Sequence, residues 1–121
     1  MDLPPSPLAR PFPDMPPIAG AELRVARARY KDWDRADLTF ATLAPGTSVA
    51  GVFTSSACAS SEVELGREQV KLGQARALVV NAGNSNAFTG IRGREAVEQI
   101  MAQVAEALDC KPSEVLVPPP A

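Results

Sequence analysis

Arg76-Ala77-Leu78-Val79-Val80-Asn81 runs into Ala82-Gly83-Asn84-Ser85-Asn86-Ala87-Phe88-Thr89-Gly90, and the fold is read outward from this stretch. The first six residues form a short apolar run bounded by Gly73 and Gly83. Apolar character on both faces marks a buried central strand. Downstream, Val97, Ile100, Met101, Val104 and Leu108 recur at helical spacing, with Glu95, Glu98 and Glu106 between them. This is one face of an amphipathic helix over residues 94–108, which Pro112 prevents from continuing. Glu114 to Val117 then reads as a second strand, so the helix is a crossover between two strands.

Upstream, Leu23 to Tyr30 alternates apolar and charged residues, the pattern of a half-exposed strand. Asp37–Leu43 and Ser48–Thr54 are candidate strands joined by Ala44-Pro45-Gly46-Thr47. Proline pre-sets φ and glycine accepts positive φ, so a type II turn and a hairpin are expected there. Ser61-Glu62-Val63-Glu64 matches a capping box, opening a short helix to about Val70 that Gly66 weakens. The expected order is β-β-β-α-β-α-β: an α/β domain with a mixed sheet, a hairpin and a crossover helix. A sheet whose last strand closes the pattern leaves an unpaired edge.

Prolines set the organisation. Seven of the 12 lie in the first 17 residues and three more at Pro118–Pro120. Residues 1–17 are read as an extended lead-in, 18–117 as the α/β domain and 118–121 as a proline-rich tail. With 121 residues there is room for one domain. Alanine supplies 20 of the hydrophobic residues, so the larger side chains must provide nearly all the apolar area of a thin core.

A net charge of -2 disfavours a nucleic-acid partner. No run approaches the length of a membrane span and no secretory signal opens the sequence, so a cytoplasmic location is expected. The absence of histidine removes Ser-His-Asp and Cys-His machinery and every His-containing zinc site. Cys58 and Cys110 form no C-x-x-C pair and read as inert thiols. No cofactor motif is present: the Asn-rich loop is neither G-x-G-x-x-G nor a P-loop.

Asn81, Gly83, Asn84 and Asn86 are the candidate site. A strand, an Asn/Gly loop and a helix N-terminus can together present N–H groups to an anion. Asn and Gly also build tight turns, and both readings stand. The hydroxyls of Thr54, Ser55 and Ser56 lack a histidine and are expected in caps or turns. Lys31, Asp32, Asp34 and Asp37 surround Trp33. They could attract a hard cation, but a solvated loop with Trp33 anchored in the core is favoured.

Gly51-Val52-Phe53-Thr54, Ala77 to Ala87 with Thr89-Gly90, and Glu114-Val115-Leu116-Val117 resemble the N-terminal part of the ornithine acetyltransferase (glutamate N-acetyltransferase) family. Lys31, Asp37 and Leu38 sit where that family has a Lys…Asp-Leu pattern. The resemblance implies an enzyme of arginine biosynthesis that moves acetyl from N-acetylornithine to glutamate, some members also using acetyl-CoA. It also implies a precursor that cuts itself into α and β chains, the new N-terminal threonine being the nucleophile. Where the family continues with Ser-Thr-Gly-Val-Ile-Gly, whose Thr-Gly pair forms the oxyanion hole, this sequence has Pro118-Pro119-Pro120-Ala121. Proline has no N–H to offer an oxyanion. No catalytic or substrate-binding residue is therefore carried over, and the chain alone is expected to be inactive. The expected partner is a β-chain-like polypeptide bearing the N-terminal threonine, or a second copy; N-acetylornithine and glutamate would be bound only by the complete enzyme. The alternative is a non-catalytic scaffold or binding module on the family fold, with a related N-terminal-nucleophile peptidase a more distant option.

Overall fold

The computed structural model describes residues 4–29, 32–83 and 89–119. In chain order the elements are β1 (Ala21–Ala26), β2 (Leu38–Leu43), α1 (Ser61–Gln69), β3 (Ala77–Asn81), α2 (Gly90–Leu108) and β4 (Val115–Leu116), with 3₁₀ turns at Val70–Leu72 and Pro112–Glu114. The strands form one mixed sheet in the order β1-β2-β3-β4. β2 pairs antiparallel with both β1 and β3, and β3 pairs parallel with β4. The mixed sheet and the crossover helix follow the reading of the sequence.

The core lies under α2. Ala77 and Val115, which face each other in the parallel pair, are both completely buried. Val79, Val97, Met101, Ala105, Leu65 and Val117 complete the cluster. The buried seam of α2 is Gly93, Val97, Met101 and Ala105, at i, i+4, i+8 and i+12. Ile100, Val104 and Leu108, expected at the centre of the face, pack at its flank. Alanine's small side chain lets the helix approach the sheet closely, so Ala105 outranks its larger neighbours.

α2 begins at Gly90 rather than Arg94. Gly90 and Gly93 each disfavour helix by about 1 kcal/mol, and of the first turn only Gly93 is buried. The helix ends on Asp109 at φ +51, with the Cys110 N–H donating to the Ala105 carbonyl at 3.0 Å. This left-handed C-cap precedes the proline stop. Val117 remains buried, although the hydrogen-bonded strand covers only Val115–Leu116.

Three local expectations are corrected. First, Ser48–Thr54 is not a strand. The turn is made, with Gly46 at φ +83 and the Thr47 N–H on the Ala44 carbonyl at 3.2 Å. Both edges of β2 are already taken, by β1 and β3, so the returning segment has no edge to pair with. It makes a single bridge, Ser48 with Gln74. The antiparallel pair with no helix between its strands is instead β1–β2, joined through residues 27–37.

Second, α1 starts one residue early. Ser60 is the N-cap and makes no side-chain capping bond, so Ser61 falls inside the first turn and the third helical position is Val63. Without Glu or Gln at that position no capping box closes. Third, β1 ends at Ala26, before the expected Tyr30, and is exposed along all six residues. Tyr30 itself lies outside the described residues. Leu23 and Val25 are 72% and 69% exposed, because no helix covers their face.

Phe53, released from the expected strand, lies against α1. A Cβ built on Gly66 would sit 2.9 Å from Phe53 Cε1. We predict that Gly66→Ala lowers the melting temperature in the native chain, because the ring must be displaced. In a Phe53→Ala background the same change should stabilise, toward the ~1 kcal/mol helix preference of Ala over Gly. A double-mutant cycle by thermal denaturation checks this; equal effects in both backgrounds would refute the contact.

Candidate functional site

The carboxyl ends of β3 and β4 emerge on the same side because the two strands are parallel. Leu78 pairs with Leu116, so two residues further on Val80 comes level with Pro118. The chain therefore leaves β3 and β4 at the same end of the sheet. Asn81 closes β3 and is half-buried, and Gly83 takes φ +119, a region that favours glycine. Asn84 and Asn86 lie outside the described residues, as does Lys31. Thr89 and Gly90 receive the chain at the start of α2.

Asp37 anchors this end of the sheet. It is 2% exposed, and its carboxylate accepts a hydrogen bond from the Ala28 N–H. Its backbone N–H donates to the Ala26 carbonyl at 3.1 Å, and its carbonyl accepts from the Ala82 N–H at 2.8 Å. One residue thus ties the end of β1, the start of β2 and the first residue past Asn81. Asp34 is instead exposed and paired with Arg27. The acidic side chains around Trp33 diverge, and among the described residues no metal-binding cluster forms. Trp33 is not in the core: it stands in the loop, its ring stacked on the Arg35 guanidinium at 4.2 Å. The cation shields the ring face that the core would otherwise cover.

Gln69 is the residue that the sequence reading missed. It is buried, and its Nε2 donates to the Val115 carbonyl at 2.6 Å and reaches the Ser113 carbonyl at 3.4 Å. α1 thereby satisfies an edge carbonyl of β4. The available signal was spacing: Gln69 lies four residues after buried Leu65, on the inward face of α1. A polar residue there implies a buried partner.

A surface cavity of about 440 Å³ opens between the first turns of α1 and α2, lined by Cys58, Ser61, Glu64, Gly90, Ile91 and Arg94. Arg94 is committed to Glu98 at 2.9 Å and Glu68 at 3.5 Å. Its hydrogen bond to Glu98 holds the guanidinium above its ordinary pKa despite opposing desolvation. The hydroxyls of Thr54 and Ser56 accept from the Ser56 and Cys58 N–H groups, the turn role expected of them. Among the described residues none of these groups forms a nucleophile–base pair.

The family model for ArgJ matches residues 22–118. The chain belongs to the ArgJ family. It is 56% identical over 113 residues to the arginine biosynthesis bifunctional protein ArgJ of Zymomonas mobilis, a match covering 93% of this chain and 28% of that protein. With the Gluconobacter oxydans protein of the same description it shares 46% identity over 115 residues, 95% of this chain and 27% of that one. The chain thus spans little more than a quarter of these ArgJ relatives. The crystal structure of the Bacillus halodurans arginine biosynthesis bifunctional protein ArgJ superposes with a TM-score of 0.77 at 26% identity, covering 83% of this chain and 52% of that one. Ornithine acetyltransferase from Mycobacterium tuberculosis, crystallised with ornithine, gives 0.75 at 26% identity over 85% of this chain and 56% of its own.

Gln69→Leu leaves the Val115 carbonyl without its donor and should cost about 1–3 kcal/mol in urea unfolding. A change within 0.3 kcal/mol would show the bond to be idle. Burial, helped by Glu114 and Asp109, pushes the Cys110 thiol above its ordinary pKa, while Cys58 is exposed. At pH 8 less Cys110 is thiolate, so iodoacetamide should alkylate Cys58 first, with Cys110 catching up only at higher pH. Equal rates at pH 8, followed by peptide mass spectrometry, would refute the assignment.

Proposed function

We propose that this chain is the N-terminal portion of a glutamate N-acetyltransferase that moves acetyl from N-acetylornithine to glutamate in arginine biosynthesis. The observation that carries the reading is the family match from 22 to 118, which ends beside the Asn81 loop at the open end of the parallel pair. In α/β sheets ligands collect at the carboxyl ends of strands, where neighbouring connections leave room. Asn81, Gly83, Asn84 and Asn86 serve there as a brace for whatever backbone follows β4, and do not themselves react. The protein acts in the cytoplasm; no described helix is long and apolar enough to cross a membrane.

On this reading the 18–117 region is a scaffold that requires a β-chain-like partner carrying an N-terminal threonine. A threonine activated by its own α-amine needs no histidine, in keeping with the composition. Pro118 and Pro119 offer no N–H at the level where an oxyanion donor would be sought. Alone, the chain would serve only as a binding scaffold on the family fold.

The test is acetyl transfer from N-acetylornithine to glutamate, measured for the pure chain and for the chain co-expressed with the remaining portion of the Zymomonas mobilis relative. Transfer by the mixture and none by the chain alone is expected. Turnover by the pure chain would overturn the scaffold role; none in a verified complex would overturn the acetyltransferase reading. The change equivalent to Asn84→Ala in an intact ArgJ relative should lower activity or maturation.

A further inference from the structure

Asp37 stands one residue before β2 and is buried, although it carries a carboxylate. A buried carboxylate is stable only where hydrogen bonds replace its water. One comes from the Ala28 N–H at 2.5 Å, nine residues back along the connection between β1 and β2. The main chain of Asp37 joins both neighbouring strands. Its N–H donates to the Ala26 carbonyl at 3.1 Å, and its carbonyl accepts from the Ala82 N–H at 2.8 Å. Leu38 pairs with Asn81 in register, so the bond from Ala82 is the next rung past the last pair of β2 and β3. The side-chain bond and this rung share one α-carbon. Side-chain rotamer and backbone dihedrals are coupled, so fixing the carboxylate on Ala28 also aims the carbonyl at Ala82.

We propose that Asp37 is a positioning residue: its carboxylate, held by Ala28, sets the place of Ala82 and so of the connection that leaves β3 at the carboxyl end of the parallel pair. Its consequence for acetyl transfer rests on the acetyltransferase reading. Two observations separate this role from simple loop closure. The connection between β1 and β2 is already closed by the Asp37 N–H on the Ala26 carbonyl, and within it Arg27 is paired with Asp34. The carboxylate therefore holds something more than the loop. The two ends of β3 are also tied by different means. Before its first residue, Arg76 donates its N–H to the Glu114 carbonyl at 2.8 Å and its Nε to the Leu43 carbonyl at 3.0 Å. Past its last residue, the hold is the Asp37 carbonyl. Asp37 acts through Ala82, and a misplacement on the order of 1 Å in a site costs about 100-fold in rate.

The experiment measures amide hydrogen exchange by NMR on the full chain carrying Asp37→Ala, Asp37→Asn or Ala28→Pro. Ala28 is exposed, so Ala28→Pro deletes the donor without touching the core and decides the outcome if Asp37→Ala does not fold. Asp37→Ala and Ala28→Pro should each lower protection of the Ala82 amide about tenfold, with Val79 and Val97 changed by less than about twofold. Asp37→Asn keeps an acceptor oxygen and should stay within about threefold of the native chain. Equal losses at Ala82, Val79 and Val97 would show a merely stabilising residue and overturn the proposal. An Ala82 amide indifferent to both substitutions, or Asp37→Asn as damaging as Asp37→Ala, would also overturn it. Each chain is then co-expressed with the remaining portion of the Zymomonas mobilis relative. Asp37→Ala or Ala28→Pro should lower kcat for acetyl transfer about tenfold, with KM for N-acetylornithine within about twofold, and Asp37→Asn should recover most of the loss. An unchanged kcat would overturn the role in transfer. No transfer by the native complex would sink the acetyltransferase reading and leave the exchange result standing.

Discussion

The contact on which the rest of this structure depends is the parallel pairing of Ala77 with Val115 beneath α2. Both residues are wholly buried, and they join segments almost forty positions apart. Parallel strands cannot be linked by a tight turn, so the crossover must be long, and α2 supplies it. Its seam of Val97, Met101 and Ala105 closes over the pair. The two upstream strands are added to that unit from one side: β2 against β3, then β1 against β2. Cover by the helices falls off in the same order. β3 alternates buried and half-buried residues, β2 has one buried residue, and β1 has none.

That gradient explains which parts of the fold were legible in the sequence. Ala77–Asn81 and α2 stand where local pattern and burial agree, and the reading located both. Ser48–Thr54 failed for a reason absent from any local window. Its alternation and the Pro45-Gly46 turn are genuine, and the turn forms. Whether a strand follows depends on a free edge, and β2 has none. Trp33 misled similarly: a large aromatic suggests a core, but the Arg35 guanidinium two residues away shields it in the loop.

At the candidate site, sequence supplied the loop and missed its supports. The Asn/Gly composition of 81–90 is conspicuous. Asp37 was grouped with Asp32 and Asp34, since a count of carboxylates cannot distinguish one turned inward. The structure separates them: Asp37 is a buried acceptor tied to Ala28 and Ala82, whereas Asp34 is solvated. Gln69 was missed because its partners are backbone carbonyls at Ser113 and Val115, which leave no trace in side-chain pattern.

The two outer strands of the sheet solve opposite problems. An unpaired edge carbonyl next to a core must find a donor, and at β4 the chain provides one of its own through Gln69. At β1 the groups awaiting cover are side chains, and no polar contact can satisfy them. Replacing Leu23 or Val25 with a charged residue would make this strand content in water at no loss to the α2 core, which it does not touch. The sequence instead keeps both apolar residues opposite an ion-paired Glu22 and Arg24. Leu23 and Val25 thus share one face of β1 while Glu22 and Arg24 share the other, and neither face of this strand is buried.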